Sequence, residues 1–350
     1  MTTTGFSGSP GEKSDLYGVL AGLGLAESLA GRHLLLTGGT GFFGRWLLAL
    51  LAELNRQGAG IEVTLTSRNP ATFLSSHPAY LECKWLNWLP GDIRELRNLS
   101  GRPVDLILHA AADTSATAHT RPLELFDTIV EGARRVFDLA VRCDGARVLI
   151  TGSGAQYGAI PDTVGVPESY PGACMSNSVG STYGEAKRAQ ETLGAIYAES
   201  YGIDVIMTRC FAFSGYGLPL NGHFAIGNFV RDALYAQEVV LNSNGTAVRS
   251  YLHGADLAVW LLALLVRGKA GQAYNVGSDE AITIAELAYR VVARVAPEKV
   301  VRIMGRPESS GRSFYVPDIT RARALGLDVW TTLDESIDSM VRWAENSKRT

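Results

Sequence analysis

The chain has 350 residues, of which 46% are hydrophobic and 19% charged, and its formal net charge is −3. A chain of this size and balance can bury a sizeable core, as one large α/β domain or up to two units. The weak negative charge gives no electrostatic ground for binding nucleic acid or an acidic membrane surface.

Residues 1–13 are rich in Thr, Ser, Gly and Pro and read as an arm without regular structure. Ser14 then caps a predicted helix carrying Leu16, Leu20, Leu23, Leu25 and Leu29. From there strands and helices alternate. The pattern predicts strands at 33–37, 61–66, 104–109, 146–151, 203–209 and 272–276. It predicts helices near 42–57, 122–142, 181–201, 222–236, 254–267 and 283–295. Short apolar runs such as Leu106-Ile-Leu108 and Val148-Leu-Ile150 suit strands buried on both faces, so the alternation implies a doubly wound parallel sheet. Gly and Pro interrupt it over 212–222, where the chain is expected to fold across the carboxyl edge of the sheet. The most apolar window, Ala255 to Val266, is too short to span a bilayer and reads as a core helix, so no membrane partner is expected. Cys83, Cys143, Cys174 and Cys210 lie far apart with no C-x-x-C pair, and no secretion signal is evident. Reduced thiols in a cytoplasmic protein are the reading, with Cys174 an incidental thiol.

Three segments carry chemistry. The first strand runs into Thr37-Gly-Gly-Thr-Gly-Phe-Phe-Gly44 and then a helix. Its Gly39-x-Gly41-x-x-Gly44 spacing fits a dinucleotide turn: one glycine makes the bend, one lets backbone approach a diphosphate, one lets helix pack on strand. The helix start adds unpaired N–H groups and a positive dipole end. Further on, Tyr183-Gly-Glu-Ala-Lys187 sets a phenol and an ammonium on one helix face. A phenol ionises near ~10 when unperturbed, and a neighbouring cation favours the phenolate, so the pair can exchange a proton with a hydroxyl or carbonyl. An ordinary amphipathic helix can show the same spacing. Upstream, Thr151-Gly-Ser153-Gly-Ala-Gln-Tyr157-Gly158 follows a strand at the ligand-binding edge, where a Ser153 hydroxyl can bond the oxygen that Tyr183 protonates.

Together these segments resemble the extended short-chain dehydrogenase/reductase superfamily, in its NAD(P)-dependent nucleotide-sugar epimerase, dehydratase and reductase branch. The resemblance covers nearly the whole chain after residue 32. Gly91-Asp92-Ile93 resembles the family's adenine-contacting turn after its third strand, and His109-Ala-Ala-Ala112 its small-residue strand end beside the cofactor. Arg209-Cys-Phe211, Val248-Arg249-Ser-Tyr251, Asp256 and Tyr274-Asn-Val-Gly277 resemble its later landmarks. The resemblance implies a Rossmann domain at 32–211 with 250–276, a smaller nucleotide-sugar lobe at 212–249 with 277–350, and residues 1–31 as an N-terminal arm and helix. It implies a dinucleotide held by Gly38, Gly41, Phe42, Phe43, Gly44, Ser67, Arg68, Asp92, Ile93, Ala110, Ala111 and Ala112. Ser153 and Tyr183 would hold the reacting sugar oxygen, Tyr183 as acid/base. Lys187 would bind the nicotinamide ribose and lower the tyrosine's pKa. Gln156, His223, Asn228, Arg249 and Arg312 would meet the substrate, the arginines at its diphosphate. A homodimer through the helices near 122–142 and 181–201 is implied as well.

Three departures from the family pattern refine this. The second strand ends Thr64-Leu-Thr66-Ser67-Arg68, where an NAD-preferring member carries Asp or Glu. A serine and an arginine suit a 2′-phosphate, which puts NADP(H) ahead of NAD. Sugar 4,6-dehydratases carry an Asp-Glu pair just after the Ser153 position. This chain has Gly154 and Ala155, which transfer no protons, and a 4,6-dehydratase is not expected. Ala212 and Ile129 stand where asparagines are usual, so His223, Phe224 and Asn228 are expected to line a replacement phosphate site. The resulting expectation is NADP(H)-linked hydride transfer at a sugar carbon, C4-keto reduction of a nucleotide-linked deoxysugar. A C4 epimerase with retained cofactor is the alternative within the class, and an inactive dinucleotide-sensing module the alternative outside it. No metal is expected.

Overall fold

Leu34 and Leu36 of the first strand pack into one apolar cluster and Leu35 into another. That split is what a strand covered on both faces requires, because successive side chains alternate across the sheet. In a computed structural model, describing residues 19, 22–97, 99, 101–112, 116–161, 165–222, 224–305 and 313–346, seven parallel strands form the central sheet. They are β1 (His33–Thr37), β2 (Glu62–Ser67), β3 (Leu86–Pro90), β4 (Leu106–His109), β5 (Arg147–Ser153), β6 (Val205–Cys210) and β11 (Ala273–Val276), in the spatial order β11-β6-β5-β4-β1-β2-β3. The order reverses between β1 and β4, and the crevice at that switch point is where open α/β sheets bind ligands. The arm at 1–13, Ser14, His223 and Arg312 lie outside the described residues.

Helix α1 (Leu25–Leu29) precedes the sheet. One face is covered by α2 (Phe42–Arg56) and α8 (Gly254–Arg267), the other by α5 (Pro122–Arg142) and α6 (Thr182–Tyr201). Helix α8 is buried from Gly254 to Leu265, as its uniform apolarity predicts. Its one carboxylate, Asp256, accepts hydrogen bonds from Trp330 N at 3.0 Å, Thr331 N at 2.9 Å and Thr331 Oγ1 at 2.8 Å. Burying this charge without such donors would cost several kcal/mol, about what a lost charged pair costs.

Beyond the sheet, α7 (Ala225–Tyr235), α9 (Ile284–Val295) and α11 (Leu333–Asn346) enclose a third core with Leu218, Leu241 and Tyr251. Small strands fold over the carboxyl edge. Strand β7 (Phe213–Ser214) pairs with β10 (Leu252–His253), and β8 (Val239–Leu241) with β13 (Val301–Ile303). Strand β9 (Val248–Arg249) lies between β12 (Ile282–Thr283) and β14 (Phe314–Tyr315).

The six expected strands and the six helices expected from residue 42 onward are present, within a few residues of their expected ends. Of the helix expected from Ser14, Leu16 and Leu20 lie outside the described residues, and α1 spans only Leu25–Leu29 after a left-handed Gly24. Several elements were not expected from the pattern, the small strands over the carboxyl edge among them. Strand β3 is an edge strand whose Leu-Asn-Trp-Leu-Pro run is half exposed, so no apolar run marks it. Helix α3 (Pro70–Ser76) is short, and α11 carries its apolar residues on one side of a charged surface. Helices α4 (Ala116–His119) and α10 (Thr320–Arg323) are single turns.

His253 caps α8, its Nδ1 accepting from Ala255 N at 3.3 Å, with its ring against Trp46. Burial pushes its pKa down to about 4. The unfolded chain takes up a proton below about pH 6.5 that the folded state refuses, so stability is full above that pH and falls as pH drops toward 4. His253→Asn keeps a capping acceptor and removes the titration. Urea unfolding at pH 7 and pH 5 should show the variant losing less stability than wild type, by up to about 2 kcal/mol. Equal losses would contradict the assignment.

Candidate functional site

Four glycines at the β1–α2 turn have separate jobs. Gly38 has φ +71°, and a Cβ there would lie 2.5 Å from the Ala110 carbonyl, so only glycine makes this bend. Cβ atoms on Gly39 and Gly44 would lie 2.3 Å from Leu65 and 2.2 Å from Gly39 backbone, so these two set the close approach of α2 to the sheet. The turn thus reads Gly38-x-x-Gly41-x-x-Gly44: the bend belongs to Gly38, one residue before the glycine the sequence spacing assigned. Gly41 is different. Its φ is −79°, it is exposed, and a Cβ would meet only Gly38 O, at 3.5 Å. Nothing inside the chain requires glycine there. It caps α2 with no side-chain hydrogen bond, so the first-turn N–H groups of Phe42, Phe43 and Gly44 face outward. That cradle fits a diphosphate. The Phe43 ring packs edge-on against Phe213 at 4.9 Å, so these aromatic residues offer a ligand their backbone rather than their rings.

Behind the turn, Thr37 Oγ1 lies 2.7 Å from His109 Nδ1 and accepts from the Ala110 and Ala111 amides, each at 3.2 Å. A hydroxyl that already accepts two N–H groups must donate to the ring, so His109 Nδ1 is the acceptor and the ring is neutral. Burial, then Lys187, pushes the His109 pKa down to about 3. Ala110, Ala111 and Ala112 are half-buried along the crevice.

At the adenosine end, Ser67 is 9% exposed and its carbonyl accepts from Gly91 N at 3.0 Å. Asp92 caps the turn at Ile93 by accepting from Arg94 N, and its carboxylate takes both arms of the Arg94 guanidinium at 2.9 and 2.8 Å. The Arg94 hydrogen bond holds the Asp92 pKa below the usual carboxylate range, and Arg68 adds to the effect. Two cations therefore surround one carboxylate at the ends of β2 and β3.

At the reaction end, β5 delivers Ser153 and α6 delivers Tyr183 and Lys187. Lys187 is 2% exposed and donates to Thr151 O at 2.6 Å and Gln190 Oε1 at 3.1 Å. Among the described residues that uses two of its three donors, leaving one for a ribose hydroxyl. Burial pushes its pKa down to about 8. The hydroxyl end of Tyr183 is enclosed, and burial pushes its pKa up to about 12, a rise that Ser153 nearby opposes. This direction is opposite to the lowering expected from Lys187: desolvation disfavours the phenolate, and the phenol is protonated at neutral pH.

Ser153 Oγ accepts from Ala155 N at 3.2 Å, and Gln156 Oε1 accepts from Ser153 N at 2.7 Å, a reciprocal cap on the turn. The other end of the Gln156 amide donates to Glu191 at 2.8 Å, and Glu191 takes the Arg209 fork. Gln156 therefore braces the loop rather than facing substrate as expected. Asn228 likewise bonds Gly222 O at 3.1 Å and Arg231 at 3.2 Å. Arg249 donates to Val248 O at 2.7 Å and Ser313 O at 3.2 Å and lies over the Tyr315 ring at 5.7 Å. Sequence reasoning missed Tyr315. Its hydroxyl donates to Cys210 O at 3.4 Å, and a Cβ at Gly154 would lie 2.8 Å from it. Only the pairing of β14 with β9 places it there, and no local motif signals that.

Residues 34–277 match the profile of the NAD dependent epimerase/dehydratase family. This chain belongs to that family. A UDP-glucuronic acid decarboxylase from Arabidopsis thaliana is 28% identical over 312 residues, 88% of each chain. A dTDP-glucose 4,6-dehydratase from Streptomyces venezuelae, solved with NAD bound, superposes with a TM-score of 0.75 at 26% identity, covering 91% of this chain and 98% of that one. The UDP-glucose 4-epimerase of Thermotoga maritima superposes at 0.77 and 20% identity over 90% and 99%, a likeness of fold. Among the described residues no helix is long and apolar enough to cross a membrane, and no cluster of His, Cys, Asp and Glu could hold a metal ion. The four cysteines are free thiols.

The glycines separate binding from folding. Gly44→Ala should destabilise the chain by about 1–3 kcal/mol through overpacking. Gly41→Ala should cost about 1 kcal/mol or less, yet weaken NAD(P)H binding about tenfold or more as its methyl enters the diphosphate cradle. Calorimetric unfolding and cofactor titration measure both. Unchanged cofactor affinity in Gly41→Ala would remove the diphosphate from this turn.

Proposed function

We propose that the protein reduces the C4 ketone of a nucleotide-linked deoxysugar with hydride from NADPH. The Ser67–Arg68 end of β2 carries the direction, because it suits the 2′-phosphate of the reducing cofactor, and Tyr183 as a neutral phenol is the proton donor that ketone reduction needs. The nicotinamide supplies the hydride. Tyr183 gives its proton to the C4 oxygen while Ser153 hydrogen-bonds that oxygen, and Lys187 holds the ribose with its remaining donor. Gly154 and Ala155 bring no acid or base next to Ser153, so the site holds nothing there to eliminate water. This argues against a 4,6-dehydratase, although one is among the structural relatives. The smaller lobe at 212–249 with 277–350 is assigned to the nucleotide sugar, with Arg249 turning from its backbone carbonyls to the diphosphate.

NADP(H) preference rests on Ser67, Arg68 and Arg94. Arg68 and Arg94 bring two guanidinium groups about Asp92 at the ends of β2 and β3, donors suited to a 2′-phosphate. We also assign the face of α5 and α6 to a second copy of the chain. Leu123 and Ile196 are exposed there, beside a cleft of about 480 Å³ where Phe126, Val130 and Leu193 meet Glu185, Arg188 and Thr192. Sedimentation of Leu123→Asp as a monomer against a wild-type dimer would support this, and identical sedimentation would contradict it.

The second reading, a C4 epimerase, uses the same residues and differs in stoichiometry. A reductase oxidises NADPH mole for mole with product, whereas an epimerase isomerises substrate with no net cofactor change. Purified protein offered nucleotide-linked 4-keto-6-deoxy sugars should consume NADPH. Isomerisation of nucleotide sugars without NADPH loss would overturn the reductase reading. Arg68→Ala should weaken NADPH binding about tenfold or more while sparing NADH, given the strength of charge-assisted phosphate bonds. Equal losses would remove Arg68 from the 2′-phosphate.

A further inference from the structure

Gly152 makes room for a side chain of its own loop. A Cβ there would collide with Gln156 Oε1 and with the Thr208 carbonyl, so the Gln156 amide passes where a larger residue would stand. That amide is buried and uses both its ends. Its Oε1 accepts from Ser153 N at 2.7 Å, and its Nε2 donates to Glu191 at 2.8 Å. Tyr183, Lys187 and Glu191 follow one another at four-residue steps along α6, so they share one helix face. Gln156 therefore joins the serine at the end of β5 to the helix that presents the phenol and the ammonium. The far end of this strut is itself fixed. Arg209 grips the Glu191 carboxylate with Nε at 3.1 Å and Nη2 at 2.6 Å. It also donates to Glu168 O at 3.0 Å, and its guanidinium lies 4.7 Å over the Tyr157 ring. Because Arg209 stands on β6 directly opposite Gly152, the sheet holds it in place.

We propose that Gln156 is a positioning residue of the reaction centre: its amide sets Ser153 at a fixed reach from Tyr183, so that both meet one sugar oxygen. The chemistry of the two bonds calls for an amide. The Ser153 N–H can only donate, and the Glu191 carboxylate, already gripped by Arg209, accepts. A carboxylate at residue 156 would serve the first bond and oppose the second, and an aliphatic side chain would serve neither. Helix α6 has one other tie to the end of β5, Lys187 on Thr151 O at 2.6 Å. That tie stops short of Ser153, whereas the Gln156 amide holds the backbone of the serine itself. Without it the serine turn and α6 shift independently, and a displacement of about 1 Å can cost a reaction about 100-fold. A brace that merely held the fold together would affect how much protein folds, and not how fast each folded molecule turns over.

The effect on turnover rests on the reading of Ser153 and Tyr183 as donors to the C4 oxygen; the strut does not. Hydrogen exchange without substrate tests the strut. The Ser153 amide should exchange about tenfold faster in Gln156→Leu, the worth of one lost hydrogen bond. Turnover tests the positioning, expressed per NADPH-binding molecule so that unfolded protein is not counted. Gln156→Leu should lower kcat about tenfold or more, with KM within about twofold of wild type. Gln156→Glu keeps an acceptor for the Ser153 N–H but sets a second carboxylate against Glu191, and should lose kcat likewise. Adding Glu191→Gln to Gln156→Glu reverses donor and acceptor between the two positions, leaves a carboxylate near Arg209, and should recover most of the loss. This pair carries the test if Gln156→Leu fails to fold. Wild-type kcat per NADPH-binding molecule in Gln156→Leu, or a double variant no faster than Gln156→Glu, would overturn the proposal. An unchanged Ser153 exchange rate in Gln156→Leu would do the same. Faster exchange in that variant, from a wild type that reduces no 4-keto sugar, would support the strut and refute the C4-reduction reading instead.

Discussion

The crevice exists because β1 and β4 are tied together where their chains part. Thr37 Oγ1 meets His109 Nδ1 at 2.7 Å and gathers the amides of Ala110 and Ala111, so the two strand ends cannot spread. The bend at Gly38 presses against the Ala110 carbonyl from the other side. Every group in the site is placed relative to this tie: α2 starts from the Gly38 turn, and β5, which brings Ser153, pairs with β4. A larger residue at Gly38 or an unpaired Thr37 would open the crevice and misplace both ends of the dinucleotide at once.

The second governing fact is that burial disfavours charge in the reaction centre. Tyr183 and Lys187 occupy one helix face four residues apart, an arrangement that in water would favour the phenolate. Enclosure pushes the tyrosine the other way and pushes the lysine down as well. The site at rest is therefore a proton donor beside Ser153, with an ammonium committed to the Thr151 carbonyl and Gln190. Further along the sheet the balance is different: Asp92 and Arg94 lie at the surface, and their paired charges remain ionised.

Much of this was legible in the sequence because it is written locally. Fully buried strands show as apolar runs, the glycine turn as spacing, and Tyr183 with Lys187 as neighbours on a helix. Gly154 and Ala155 could be read as missing acid groups. What escaped is what only tertiary structure creates. Strand β3 is recognised by pairing with β2, since its own Asn87, Trp88 and Pro90 carry no strand pattern. Gln156 is polar and adjacent to Ser153, which suggested substrate contact, yet Glu191 and the Ser153 amide consume it. Tyr315 belongs to an unremarkable Ser-Phe-Tyr-Val-Pro run and reaches the site only through β9. Gly154 revealed its second meaning, as room for that phenol, only in three dimensions.

The account stands on hydride passing between nicotinamide and the sugar's C4 while Tyr183 supplies the proton. NADPH deuterated at the transferring position of its nicotinamide, incubated with the protein and a nucleotide-linked 4-keto-6-deoxy sugar, tests this directly. Mass spectrometry and NMR of the product should find the label on sugar C4. Product without deuterium, or with deuterium on any other carbon, would contradict it.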